Sequence, residues 1–273
     1  MGEWAKADFG VSKFNSIGIM LAGTANPEFE KKILGLFDKK LSSKDCVYHC
    51  HLAKKKNKLY PVVSNVYGAP AAVDALALIH DGGCRNLIFI GYAYGGFKNL
   101  EVGSIVIPTK AYHYDGIYHA MKLDRNYATP DKLLKNKIEE IFKTNNIKHV
   151  EGIDISVPAV TLQLKHANPE YKKIKPTTVE MELAACLSRA KQIGIRAVGI
   201  LIISDNRNSS IGDEYKKKRR YEAKLKVIKT IVNNLESLDL DKLKLKEFNI
   251  NEYLASIIED SKDKNNIYKI KKK

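Results

Sequence analysis

The chain has 273 residues, 44% of them hydrophobic, which is enough for one globular domain with a sizeable buried core. The 46 lysines and arginines exceed the 31 aspartates and glutamates, and the net charge of +15 favours anionic partners without selecting a class of them. Four cysteines disfavour a disulfide scaffold, no apolar run is long enough to span a bilayer, and no secretory signal begins the chain, so we expect a cytoplasmic protein without membrane association.

Strand-like and helix-like segments alternate along most of the chain. In the first half they are a strand over 16–22, a helix over 28–41, hairpin strands over 46–53 and 59–66, a helix over 70–80, and a strand over 86–90. In the second half they are a strand over 103–108, a helix after 129–131, strands over 149–157 and 195–203, a helix over 180–193 between them, and a helix over 219–236. This alternation predicts an α/β sheet covered by helices, with ligands at the carboxyl ends of the strands.

The last 37 residues differ in composition, being rich in lysine, aspartate and asparagine and ending in KIKKK. We therefore predict a catalytic domain over residues 1–236. A basic C-terminal extension follows over 237–273, with a short helix over 250–260.

Three acidic residues lie at the predicted ends of a helix or a strand. Glu180 and Glu182 flank a methionine before a helix-like run, and Asp205 follows an apolar strand. One interpretation makes the glutamates solvated first-turn residues and Asp205 the cap of a turn. The other makes Glu182 and Asp205 face one small polar ligand.

Five segments in order resemble the nucleoside phosphorylase superfamily, which contains purine nucleoside phosphorylases, uridine phosphorylases and related nucleosidases. The segments are Val179-Glu180-Met181-Glu182, Ser204-Asp205, and the stretches 65–70, 86–96 and 102–108. The resemblance covers residues 17–235. It implies a three-layer α/β/α fold with a mixed, partly barrel-like central sheet.

The resemblance also implies an activity. It is the transfer of a pentosyl group from a nucleoside, most simply a purine nucleoside, to inorganic phosphate, without another cofactor. Subunits of this family meet at their sites, so a homodimer or a hexamer is expected. Nucleic acid is not an expected partner, because no aromatic residues interleave the basic run at 216–220.

The resemblance assigns roles to the acidic residues. Glu182 would accept hydrogen bonds from the ribose hydroxyls, with Met181, Glu180 and Tyr67 beside the sugar. Such contacts suit a reaction in which the sugar becomes oxocarbenium-like.

Asp205 would be the general acid at the base, which requires a pKa raised by burial. The family pairs this aspartate with an arginine one turn into the next helix, and Lys218 or Arg219 would take that place. Val160, Ser204 and Asn206 would lie at the base. Val160 replaces the aromatic residue that the family stacks there.

Gly23, Gly91 and Tyr92 would form the phosphate loop, but the arginines of the family pattern are missing. The positions concerned hold Pro27, Phe89, Tyr92 and Cys46. Phosphate is bound best by charged, bidentate donors. Two alternatives to phosphorolysis therefore stay open: a hydrolytic nucleosidase, and a non-catalytic nucleoside-binding relative.

The stretch CVYHCH contains four residues of zinc-binding types, Cys46, His49, Cys50 and His51. A structural zinc site normally draws a second pair from elsewhere, and alternation along a strand sends neighbours to opposite faces. We therefore interpret this stretch as hairpin surface and predict no metal.

Overall fold

The computed structural model describes residues 2–24, 26–45, 47–97, 100–162, 173–209 and 214–240. Its strands are β1 (Ile17–Ala22), β2 (Lys39–Asp45), β3 (His49–Lys55), β4 (Lys58–Val66), β5 (Asn86–Gly95), β6 (Ile105–His113), β7 (Tyr127–Ala128), β8 (Val150–Ser156), β9 (Thr178–Glu180) and β10 (Arg196–Asp205). Its helices are α1 (Glu3–Phe9), α2 (Pro27–Leu34), α3 (Ala69–Asp81), α4 (Ile117–Ala120), α5 (Lys132–Thr144), α6 (Leu183–Ile193) and α7 (Glu214–Asn233).

The strands form one mixed sheet that closes partly on itself. Its order is β10-β6-β8-β9-β5-β1-β4-β3-β2, and β10 also pairs with β5, so five strands form a ring. Of the other five strands, β7 pairs with β6, and β1, β4, β3 and β2 extend from β5 as an open sheet that ends at β2. The predicted partly barrel-like mixed sheet is confirmed.

Helices cover both faces of the sheet and bury two separate apolar cores. One core joins α1, α3 and α6 to the sheet, and the other joins α2, α5 and α7 to its opposite face. Every residue of β1 is buried, as expected for a strand covered on both sides. The three-layer α/β/α prediction is therefore confirmed. None of the helices in the described ranges combines the length and apolar character needed to cross a membrane.

The predicted helix over 28–41 is wrong in its second half. Helix α2 ends at Leu34. The backbone N–H of Gly35 donates hydrogen bonds to the carbonyls of Lys31 and Ile33 in its last turn. Residues after Lys39 form β2 instead and pair antiparallel with β3. Phe37 and Leu41 continued the apolar spacing by coincidence, because Phe37 is buried in a turn and Leu41 is exposed.

The predicted helix over 180–193 begins later than expected. Glu180 ends the short strand β9, and α6 begins only at Leu183. The predicted strand over 86–90 is longer than expected, since β5 continues through Gly91 to Gly95.

The described fold continues past the predicted boundary at residue 236. Leu238 is fully buried, and the Ser16 hydroxyl donates a hydrogen bond to Asp239. The helix predicted over 250–260 lies outside the described residues.

Candidate functional site

Both acidic signatures flank a single residue of β5. Tyr94 pairs with Val179 of β9 on one side and with Asp205 of β10 on the other. Because neighbouring strands lie about 4.8 Å apart, Val179 and Asp205 are separated by roughly 10 Å across the ring. Glu182 follows Val179 by three residues, so the fold brings the two signatures to the same rim of the barrel.

Glu180 is a buried cap of helix α6. Its carboxylate accepts hydrogen bonds from the backbone N–H groups of Glu182 (2.7 Å) and Leu183 (2.8 Å), and from the Ser156 hydroxyl. Burial, and then the charge of the neighbouring Asp154 carboxyl, raise the pKa of Glu180 well above its usual range. The interpretation of Glu180 as a solvated residue is wrong, because only 3% of it is exposed.

Glu182 is also buried, and it ties α6 to the loop before α3. Its Oε1 accepts a hydrogen bond from the backbone N–H of Gly68 at 2.5 Å. Gly68 has φ 86°, a conformation that favours glycine. Burial, and next the charge of Glu180, raise the pKa of Glu182 well above its usual range. The solvated interpretation is therefore wrong for Glu182 too.

Asp205 is positioned by a β-bulge. Ile203 pairs with Ala93 and Asp205 with Tyr94, so Ser204 is an extra residue in β10. The Ser204 hydroxyl lies 2.6 Å from Asp205 Oδ1 and 3.2 Å from the Ala93 carbonyl. The bulge therefore fixes the direction of the Asp205 side chain.

An arginine from α7 holds the same bulge. The Arg220 guanidinium is buried and donates a hydrogen bond to the Ser204 carbonyl at 3.3 Å. Its side chain thus reaches the backbone next to Asp205.

A lysine from the next turn of α7 reaches the glycine loop after β1. Lys224 is 0% exposed and donates hydrogen bonds to the Ala22 carbonyl (2.8 Å) and the Thr24 hydroxyl (2.7 Å). Its Nζ also lies 4.0 Å from the centre of the Tyr92 ring. Burial lowers the pKa of Lys224 to about 7, against the opposing effect of the Glu182 carboxylate.

The three residues predicted for the anion loop lie together. Gly23 has φ 60°, and a Cβ added there would lie 3.8 Å from the Tyr92 ring. Gly91 lies inside β5 rather than in a loop, and a Cβ added there would lie 3.4 Å from the Ala22 side chain. The Tyr92 hydroxyl is buried without a hydrogen-bond partner among the described residues, which is unusual for a buried polar atom.

The comparison with protein families identifies the family of this chain. A family model described as the phosphorylase superfamily matches residues 27–241. The chain belongs to the phosphorylase superfamily. A curated relative, the DeoD-type purine nucleoside phosphorylase of Chromobacterium violaceum, is 27% identical over 152 residues. That match covers 55% of this chain and 64% of the relative, so it spans less than two thirds of the relative's length.

Solved structures of phosphorylase-superfamily proteins share the fold. The 5′-methylthioadenosine/S-adenosyl homocysteine nucleosidase of Campylobacter jejuni gives a TM-score of 0.70 at 17% identity, covering 82% of this chain and 99% of its own. The purine nucleoside phosphorylase of Toxoplasma gondii gives 0.71 at 17% identity, covering 85% and 94%. The uridine phosphorylase of Vibrio fischeri gives 0.69 at 18% identity, covering 80% and 90%. Both phosphorolytic and hydrolytic enzymes thus share this architecture.

Within this superfamily fold, the residues predicted beside the sugar differ in exposure. Met181 is 7% exposed and belongs to a small apolar cluster with Tyr94 and Val157. Tyr67 is 62% exposed and directly precedes Gly68. Met181 therefore has a packing role, whereas Tyr67 projects from the loop that Glu182 holds.

The residues predicted at the base are less closely grouped. Val160 is 54% exposed in a short 3-10 turn next to residues outside the described ranges. The Asn206 side chain donates a hydrogen bond to the Leu100 carbonyl and accepts bonds from Asn208 and Ser209. Asn206 thus shapes the turn that follows Asp205.

The predicted partners of Asp205 lie on the exposed side of α7. Arg219 pairs with Glu101 at 2.5 Å, and Lys218 lies 4.0 Å from Glu222. The buried arginine near Asp205 is Arg220, one residue later than the sequence prediction.

Sequence reasoning missed Arg220 and Lys224, although a signal was present. Both share the spacing of the buried apolar residues Ile228 and Ile231 along α7. A basic residue on the apolar stripe of a helix is buried only when it has partners, and therefore marks an internal polar site.

Proposed function

We propose that the protein cleaves the N-glycosidic bond of a purine nucleoside and transfers the ribosyl group to inorganic phosphate. The observation that carries the proposal is the pairing of Tyr94 with both Val179 and Asp205, which supports a shared site for Asp205 and for Glu182, three residues after Val179. The curated relative, a purine nucleoside phosphorylase, supports the choice of substrate.

Glu182 orients the sugar in this proposal. Its Oε1 accepts a hydrogen bond from the Gly68 N–H. In the proposal, the other carboxylate oxygen accepts hydrogen bonds from the ribose hydroxyls. Positive charge develops on the sugar as the bond between C1′ and the base breaks. This charge favours the ionised form of Glu182, which burial opposes in the free protein, and the resulting carboxylate stabilises the charged sugar. The buried setting strengthens this interaction because little water screens it.

Asp205 acts at the base. The electron pair of the breaking bond passes to the base, and the proton of the Asp205 carboxylic acid passes to the purine N7, leaving a neutral free base. The Ser204 bulge fixes the direction of the carboxyl, and Arg220 is the positioning residue that holds the bulge. We assign to Arg220 the role that the resemblance implied for Lys218 or Arg219.

Lys224 supplies the positive charge at the phosphate end. The loop at Gly23 lacks the arginines of the family pattern, but the Lys224 ammonium is anchored to that loop by two hydrogen bonds. The unpartnered hydroxyl of Tyr92 offers a donor next to it. A phosphate oxygen then bonds to C1′, and the products are ribose 1-phosphate and the free base.

Hydrolysis is the second candidate, and a specific observation favours it. Lys224 is completely buried and already bonded to the loop, and Pro27, Phe89 and Tyr92 replace the residues expected to bind phosphate. With water in place of phosphate, the same two carboxyl groups would release free ribose.

One assay separates the candidates. Purified, phosphate-free protein is incubated with inosine, adenosine, guanosine, uridine or methylthioadenosine, with and without added phosphate, and free base and sugar phosphate are quantified. We expect base release that requires phosphate and yields equal amounts of ribose 1-phosphate. Release without phosphate would support hydrolysis. Binding without release from any nucleoside would contradict both and support a non-catalytic relative.

A further inference from the structure

A second cluster of polar side chains lies outside the nucleoside site. Glu30 of α2 and His49 and His51 of β3 bring three ligand atoms within 4.8 Å of one another. The Glu30 Oε1 lies 3.0 Å from His49 Nδ1 and 3.1 Å from His51 Nε2. None of the three side chains has a role in the proposed reaction.

The strand geometry explains why two histidines share a face. Side chains alternate along a strand, so His49 and His51 point to the same side of β3 and Cys50 points to the other. Cys50 is fully buried in the core on that opposite side. The expected alternation is present, but the interpretation of this stretch as hairpin surface is wrong for Cys50 and His51, which are 0% and 2% exposed. The sequence analysis did not anticipate Glu30, which lies on helix α2 and not in the hairpin.

Two serines orient the cluster. The Ser43 hydroxyl of β2 is hydrogen-bonded to His51 Nδ1, which leaves Nε2 directed at Glu30. The Ser64 hydroxyl of β4 contacts both Glu30 and His51 Nε2. Metal-binding histidines are characteristically held in this way by a hydrogen bond to the other ring nitrogen.

The ligand set and its spacing fit a metal ion. Two imidazoles and one carboxylate suit first-row transition cations, including zinc. With metal–ligand distances of about 2.0–2.1 Å, tetrahedral geometry separates neighbouring ligand atoms by about 3.3 Å. The two distances from Glu30 are within a few tenths of an ångström of that value, and the distance between the two histidine nitrogens is at most 4.8 Å, so the two rings close on a bound ion by a change in side-chain torsion.

We propose that Glu30, His49 and His51 form a binding site for a divalent first-row transition cation, with Zn²⁺ as its representative. The site is reached from solvent at His49, whose side chain is 21% exposed, while that of His51 is 2% exposed. The cation binds the lone pairs of His49 Nδ1 and His51 Nε2, so each neutral ring carries its proton on the other nitrogen, and the Ser43 hydroxyl accepts the proton of His51 Nδ1. It leaves one coordination position for water or a small anion.

The location gives the site a structural consequence. Ser64 pairs with Leu21 of β1, two residues before Gly23, and α2 begins four residues after Gly23. A cation bound to both α2 and β3 would fix the first turn of α2 on the hairpin. The proposal does not depend on the reaction assigned to the nucleoside site.

The competing explanation is a cluster that only holds α2 against the hairpin through hydrogen bonds. Such a cluster needs no ion and gains nothing from one. The two explanations differ in the response of the folded protein to added metal.

The test is a metal titration of the untagged, full-length protein after treatment with a chelator. Zn²⁺ binding is measured by calorimetry, Co²⁺ binding by the visible absorption of the cobalt ion, and the melting temperature with and without Zn²⁺. We expect one ion per chain, a cobalt spectrum of low-symmetry nitrogen and oxygen coordination, and a higher melting temperature with Zn²⁺.

Three variants make the test specific. Glu30→Gln removes a ligand and is expected to weaken binding by more than about 100-fold, whereas Ser43→Ala removes only an orienting bond and should weaken it roughly 10- to 100-fold. His119→Gln removes an exposed histidine far from β3 in the chain and should leave affinity unchanged. If Glu30→Gln does not fold, His49→Gln replaces it, because His49 is partly exposed.

Two results would overturn the proposal. One is the absence of stoichiometric binding by the wild-type protein. The other is equal affinity in the wild type and in the ligand variants, which would place the ion elsewhere.

Discussion

The ammonium nitrogen of Lys224 lies 2.7 Å from the hydroxyl of Thr24, although 200 residues separate them in the chain. This contact connects the last long helix to the loop after the first strand. It also brings a positive charge close enough to Glu182 for that carboxylate to affect the pKa of the lysine. Glu182 and the loop that Lys224 holds after β1 are therefore electrostatically linked.

Replacing this lysine tests the anion site. In Lys224→Met we expect the KM for phosphate to rise roughly 10- to 150-fold, the value of one charged hydrogen bond. The KM for the nucleoside should change much less. Lys226→Met, an exposed lysine on the same helix, is the matched control. An unchanged KM for phosphate in Lys224→Met would mean that the anion binds elsewhere.

Asp205→Asn tests whether Asp205 is the general acid that protonates the purine. We expect turnover to fall roughly 10²- to 10⁴-fold while the KM for inosine stays within a few fold, because proton donation matters only in the transition state. A 7-methylated purine nucleoside already carries the positive charge that protonation supplies. Its cleavage should therefore be nearly insensitive to the substitution, and equal losses on both substrates would argue against Asp205 as the acid.

Glu182→Gln tests the sugar contact. Glutamine keeps the shape and the acceptor for the Gly68 N–H but cannot ionise when positive charge develops on the sugar. We expect kcat/KM to fall roughly 10- to 150-fold, since the charge strengthens hydrogen bonds to the ribose hydroxyls. The substitution Glu222→Gln on the exposed side of α7 serves as control. A 2′-deoxynucleoside should be affected less than its ribonucleoside, and the opposite order would contradict the assignment.

Substitutions of Arg220 and of its neighbour Arg219 test which of the two arginines supports Asp205. Arg220→Met leaves the Ser204 carbonyl without its buried donor and should lower the free energy of unfolding by about 1–3 kcal/mol, with a loss of turnover. Arg219→Gln breaks an exposed pair with Glu101 and should cost about 0–1 kcal/mol with little change in turnover. Urea unfolding and steady-state kinetics on both proteins check this. The reverse order would restore Arg219 as the partner of Asp205.

The buried carboxyl of Asp154 is expected to make the free energy of unfolding depend on pH. Burial raises the pKa of Asp154 to about 7 from an ordinary value of 3.8, so the folded state binds this proton more tightly than the unfolded state. Its contribution to stability is complete below pH 4 and is lost as pH rises towards 7. Asp154→Asn keeps an acceptor for Thr178 and removes the charge. As pH rises from 4 to 7, the free energy of unfolding of Asp154→Asn should increase relative to that of the wild type, by at most about 1.4 kcal/mol per pH unit.

Urea unfolding at several pH values measures the difference between the two proteins. Asp124→Asn, an exposed position, should show no such trend. A constant difference between Asp154→Asn and the wild type from pH 4 to 8 would show that Asp154 does not titrate in this range.

Much of the fold followed from the sequence because buried strands and amphipathic helices have clear periodicities. The strand over 16–22 and the helix after 129–131 correspond to β1 and α5 within a few residues. The failure over 28–41 has a local cause, since apolar spacing continued past Gly35 while the chain turned into an edge strand. Periodicity alone does not report where a helix is interrupted by a glycine.

The site was predictable only in part. Glu182 and Asp205 were proposed from the sequence because they lie in short segments that resemble family signatures. Arg220 and Lys224 were not, because α7 is so rich in basic residues that composition alone cannot separate solvated side chains from buried ones. Glu30 lies on helix α2, whereas His49 and His51 lie on β3, and no pattern within the hairpin predicts that Glu30 joins them.

The extra residue at 204 sets the direction of the carboxyl that follows it. Ser204 has no partner of its own in β5, so a chain without it would keep Asp205 opposite Tyr94 but would lose the bulge and the hydroxyl that contacts Asp205 Oδ1. Loss of a single codon here would thus reorient one side chain while the ring of strands still formed.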